Sequence, residues 1–255
     1  MTWDRRSGTT YRARNAVQQL TSRGIVLPDS IASAVAVLDR VAASGPREPD
    51  TVAVRNAIVD GADSDVINGL LLAELAYTRL RSEHAQAILI AAQRVLGAIL
   101  DERANLHAAL NMRAEHAIAR LKNVAALDGA SLEELVRAGR HDDAQALAEV
   151  EVVGAELVAL YETRDSYLTP GGLDAARAGQ FDCTQFRDPR VAARHHRDDL
   201  GVVGNYLAAL RHGAALWFPT SEEALAAAAP LYQEWEQQAA RVADRQRQVG
   251  GFTAF

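Results

Sequence analysis

Two arginine–histidine pairs share one spacing: Arg79 with His84, and Arg190 with His195. A guanidinium beside an imidazole can hold a phosphodiester and move a proton on it. Arg187, Arg190, Arg194 and Arg197 recur at steps of 3, 4 and 3. The last three then share a helical face suited to phosphates or an acidic partner. Asp188, Asp198 and Asp199 dilute that charge. The other histidine pairings are poorer. Glu83-His84, Glu115-His116 and His195-His196 are adjacent residues, whose side chains diverge by about 100° on a helix. No His-Glu-x-x-His and no Glu-x-x-His pair is present, so no metal site is expected. Cys183 is the one cysteine, which excludes an intrachain disulfide and a multi-cysteine zinc site. Walker, Gly-x-Gly-x-x-Gly and Gly-x-Ser-x-Gly patterns are missing, so no cofactor is expected either.

Two short motifs resemble known signatures. Arg79-Leu80-x-x-x-His84 and Arg190-Val191-x-x-x-His195 resemble the Arg-φ-x-x-x-His motif of HEPN ribonucleases. Leu80 and Val191 stand where that family often carries a polar residue. The resemblance implies a helical protein in which Arg79 and His84 act on RNA, usually across a dimer. Tyr161-x-x-x-Asp165 and Tyr232-x-x-x-Glu236 resemble the export signal of type VII secretion substrates. Trp217-Phe218-Pro219 stands in place of that family's Trp-x-Gly.

The elements that must position these residues are helices. Of 255 residues, 49% are hydrophobic and 50 are Ala, the best helix former. Removing Ala leaves a modest set of larger apolar side chains, which suits close helix contacts. A net charge of −6 argues against a general nucleic-acid coat. Lys122 is the only lysine; the Arg and Ala bias matches a GC-rich genome of a bacterium or phage. No apolar run follows the N-terminal Met1-Thr2-Trp3. Ala85 to Leu100 is too short and too polar to span a membrane. A cytoplasmic protein is expected, with the single cysteine fitting a reducing compartment.

The pattern predicts an all-α, elongated helical bundle. Its centre is one long helix over 63–128, a stretch without proline and with only Gly69 and Gly97. Gly97 is its expected weak point. Leu96, Ile99, Leu106, Leu110, Leu121 and Val124 lie on a heptad-like seam. An antiparallel partner helix over 142–168 covers fewer than half as many residues. Ser131-Leu-Glu-Glu134 and Thr220-Ser-Glu-Glu223 have capping-box form. Asp188-Pro189 reads as an N-cap followed by Pro at N1. Pro230 should kink or restart its helix. Arg137-Ala138-Gly139 and Arg177-Ala178-Gly179 are a candidate repeated turn.

Four regions follow: a basic flexible segment 1–24, a long-helix bundle 25–168, a smaller C-terminal helical region 173–249 and a tail 250–255. Thr169-Pro170-Gly171-Gly172 marks the division. The expected function is non-enzymatic: a helical interaction or assembly protein, of scaffold or virion-assembly type. It would self-associate as a homo-oligomer through the seam. The alternatives are the ribonuclease using Arg79 and His84, and an adaptor that binds an acidic partner or nucleic acid through the Arg stripe.

Overall fold

The computed structural model describes residues 5–50, 52–169, 174–177 and 182–250. Among these the chain is all-α, with one isolated antiparallel bridge between Phe186 and Leu216. It divides into two compact units, Met1–Arg103 and Ala104–Phe255. That boundary falls inside the stretch read as a single central helix.

Unit 1 holds α1 (Arg5–Ser22), α2 (Asp29–Ala43), α3 (Ala53–Val59) and α4 (Ser64–Asp101). The segment expected to be a flexible arm is therefore helical from Arg5. Its apolar residues are few but correctly spaced. Ala13, Ala16 and Leu20 are fully buried, one turn or so apart, and α1 packs on α4. Burial of a narrow Ala/Leu stripe outweighs the basic character of the other faces. Arg14 pairs with Asp39 of α2 at 3.3 Å. The α2 helix runs antiparallel to α4: Ser30, near its start, donates to Glu102 at 2.9 Å, while Val41, near its end, meets His84. Ala91, Ala92, Val95 and Ile99 form the buried stripe of α4.

The one long helix expected over 63–128 is interrupted. Gly97, the expected weak point, lies inside α4. The chain instead leaves helical geometry at Glu102 (φ −89°, ψ 8°) and restarts at Arg103. No Gly or Pro marks the position, so nothing in local propensity announces it.

Unit 2 holds α5 (Arg103–Ala125), apart from its first residue, then α6 (Leu132–Arg137), α7 (His141–Ala148) and α8 (Val150–Thr163). A π-turn, Arg164–Leu168, extends α8. Beyond it come α9 (Asp174–Arg177), α10 (Pro189–Arg194), α11 (Gly201–Arg211) and α12 (Ser221–Gly250). The sequence stops are visible as geometry. Asp128 and Gly129 take φ of 49° and 83°, a left-handed turn that Gly tolerates without strain. Ser131 and Glu134 close a capping box at the head of α6. The Asp188 side chain accepts from the Arg190 amide at 3.0 Å, with Pro189 at N1. Thr220 and Glu223 exchange the same reciprocal bonds at the head of α12.

The expected antiparallel partner of α5 is present in two pieces, α7 and α8, broken at Glu149. Arg120 of α5 pairs with Glu149. At the other end His107 reaches the Phe218 ring, which stacks on Tyr161 of α8, so the two helices run in opposite directions. α12 passes through Pro230 without a break. Ala224, Ala228 and Leu231 are buried together with Ala176 and Cys183, which anchors the helix on both sides of the proline. The 170–173 loop, the second copy of the repeated turn at 178–179 and the tail beyond Gly250 lie outside the described residues.

Candidate functional site

The most unusual surface of the molecule is the N-terminal half of α4. α3 folds back on it, with Ile67, Leu70 and Tyr77 half-buried. Leu71, Leu72 and Leu75 fall within about 100° of helical arc, turned roughly 130° away from that side. They are exposed at 40%, 66% and 67%. Val66 and Leu80 are exposed on other sides of the helix, and α3 exposes Ile58 and Val59. Scattered exposed leucines are ordinary, whereas these three share one side of one helix. Asp65 lies at one end of the face, and Arg79, paired with Glu83 at 3.1 Å, lies at the other.

The seam residues are differently placed. Ile99 is buried in unit 1, where Leu96 is half-buried. Leu106, Leu110, Leu121 and Val124 are buried in unit 2. These side chains are core rather than open surface; those of α4 lie on the helix against which α1 and α2 pack inside unit 1. The unmatched apolar surface of the long stretch lies some twenty residues nearer the N-terminus. One signal for it was present in the sequence: Leu70, Leu71, Leu72 and Leu75 are spread too widely around a helix to face a single neighbour.

Arg79 and His84 do not converge within the chain. Arg79 is exposed on its ion pair with Glu83. The His84 Nε2 donates to the Val41 carbonyl at 2.6 Å, which commits the imidazole to the α2–α4 contact. The Arg stripe is also resolved into separate interactions. α10 ends at Arg194, and Arg197 sits in extended backbone beyond it, so the four residues share no helical face. Arg187 lies over the Trp217 ring at 4.9 Å. Arg190 forms a forked pair with Asp188 and reaches Glu234 at 2.8 Å. Arg197 grips Asp199. Arg194 is exposed. Three of the four guanidiniums are thus occupied locally.

Unit 2 buries a cation in its core. Arg164, on the π-turn, is 1% exposed. Its guanidinium lies 5.0 Å from the Tyr161 ring and 4.8 Å from Phe218. It donates to Asp165 at 2.7 Å and to the Thr184 carbonyl at 3.0 Å. Burial lowers its pKa to about 10, which leaves it charged. Asp165 also holds Arg177, and the Tyr161 hydroxyl donates to the Trp217 carbonyl at 2.9 Å. Both ends of the Tyr161-x-x-x-Asp165 motif are therefore engaged inside the unit. His107 is held below the usual imidazole pKa, chiefly by desolvation, and Arg164 adds to the effect. Cys183 is buried, and desolvation pushes its thiol up, which suppresses the thiolate a nucleophile needs.

Among the described residues no three His, Cys, Asp or Glu side chains gather as a metal site. No helix among them is long and apolar enough to cross a membrane. Compared with protein-family models, curated proteins and solved structures, the chain matches none.

Proposed function

We propose that this chain is a non-enzymatic interaction and assembly protein that self-associates through the exposed face of α4. The observation that carries the reading is the group Leu71, Leu72 and Leu75, exposed on the side of α4 that α3 leaves open. An antiparallel pairing of two copies, with the two-fold axis between Leu72 and Leu75, repeats every contact on both sides. It brings the Asp65 end of one copy toward the Arg79–Glu83 ion pair of the other. Full burial of one Leu contributes about 2 kcal/mol, while association costs roughly 4–15 kcal/mol in lost freedom. The contact then depends on all six leucines together, and its population varies with protein concentration.

Cysteine cross-linking tests the register. Leu72→Cys and Leu75→Cys place thiols on the face, whereas the native Cys183 is buried. When the two variants are mixed and mildly oxidised, a covalent dimer is expected between 72 and 75. A control thiol at Glu74, off the face, should stay monomeric. Equal cross-linking at all three positions, or none at any, counts against the reading.

A further inference from the structure

A second feature, in unit 2, points to a small ligand. Between α10, α11 and the turn preceding α10 lies a cavity of about 610 Å³, within the size range that encloses small molecules. Its apolar wall includes Phe186, Pro189, Val202 and Tyr206. The Phe186 and Tyr206 rings meet edge to face at 6.0 Å. The rim is held by side-chain hydrogen bonds. The Asn205 side chain accepts from the Arg197 amide at 2.8 Å and donates to the carbonyls of Arg197 and Gly201 at 2.9 and 2.8 Å. The Tyr206 hydroxyl donates to Gln185 at 3.0 Å, which fixes the floor. A pocket held this way loses little freedom when a ligand enters.

The charge on the wall has one sign. Among the described residues, Asp182 and Asp198 line the cavity and no Arg or Lys does. Arg190 is turned to Asp188 and Glu234 and Arg197 to Asp199, while the buried Arg164, outside the lining, lies near enough to Asp182 to interact with it. His196 stands at the rim, 3.3 Å from Asp198. Asp182 uses Oδ1 for the amide and hydroxyl of Thr184, and Oδ2 takes no part in those two bonds.

We infer that this cavity binds a small organic cation: a protonated amine carried on an aromatic or compact aliphatic body. The ammonium faces the carboxylates of Asp182 and Asp198, and the body packs on Phe186, Val202 and Tyr206. A neutral ligand of the same shape leaves the carboxylates unpaired, and an anionic one is repelled. The site lies in unit 2 and does not depend on self-association through α4.

Calorimetric titration of the full chain tests this with three amines, tryptamine, phenethylamine and cyclohexylmethylamine. Tryptophol and indole-3-propionate serve as neutral and anionic counterparts of the first. At least one amine should bind, and for the indole series the neutral and anionic forms should be weaker by about tenfold or more, near 1.4 kcal/mol. Asp182→Asn and Asp198→Asn should each weaken the amine and leave tryptophol unchanged. Val202→Trp, at an exposed position of α11, should fill the cavity and block binding without altering the circular dichroism spectrum. No heat from any of the three amines up to millimolar concentration would overturn the inference. So would equal affinity across the three charge types, or unchanged binding in Val202→Trp.

Discussion

Arg164 and His107 both lie against Phe218, and both are costly to bury. Arg164 is compensated by two ring faces, Asp165 and a backbone carbonyl. Cutting it to Ala leaves a cavity and strips one of two partners from Asp165, so Arg164→Ala should cost about 3 kcal/mol in urea unfolding. A loss within the scatter of surface substitutions would mean the π-turn holds without it. His107 makes a prediction in pH. Its pKa is lowered in the folded chain, first by desolvation, and that of His195 is lowered the same way, with His212 stacked on it at 3.6 Å. The unfolded chain therefore binds protons more readily. Stability is complete above the ordinary imidazole pKa of about 6.5 and declines as pH falls through it toward the folded values. The urea midpoint should drop between pH 7.5 and 5.5, and His107→Gln should flatten part of that drop. An unchanged pH profile in His107→Gln would remove His107 from the account.

At the scale of elements, the clearest packing contact is between α8 and α11. A Cβ built on Gly154 would lie 2.3 Å from Val203 Cγ2 and 3.1 Å from its Cβ. Valine is stiff at χ1, so the helices must separate. Gly154→Ala should destabilise by about 2 kcal/mol. Adding Val203→Ala should recover about 1 kcal/mol relative to the sum of the single changes. Simple additivity in the double-mutant cycle would show that the close approach is not what Gly154 provides. The element ends were largely legible because their causes are local. Ser131, Asp188 and Thr220 cap helices as their sequence context predicts, and Asp128-Gly129 stops one. The break at Glu102 and the burial of α1 were not legible, since both are decided by packing between segments far apart in sequence. Alternating Ala13, Ala16 and Leu20 with Arg12, Arg14 and Arg23 gives a weakly amphipathic stretch, and only α4 across from it turns that stretch into core. The Arg187–Arg197 stripe failed for the same reason: helical spacing was read across a helix that ends at Arg194.

At the scale of the molecule, the α4 helix carries two kinds of apolar surface. Its C-terminal half is covered by α1 and α2, and its N-terminal half presents Leu71, Leu72 and Leu75 to solvent. The sequence pointed to surplus apolar surface on this stretch. It placed that surface too far along, because a periodic seam looks alike whether its cover comes from the same chain or from another. The exposed group is small, so the predicted association is reversible and sensitive to a single charge. Sedimentation velocity across roughly 1–100 μM, for the wild-type chain and for Leu72→Glu/Leu75→Glu, tests this most directly, since association driven by a buried patch follows mass action. The account predicts a wild-type sedimentation coefficient that rises with concentration from the 27.5 kDa monomer toward a dimer. The double variant, folded by circular dichroism, should stay monomeric throughout. A wild-type chain that is monomeric over the whole range, or a variant that associates as strongly as the wild type, would contradict it.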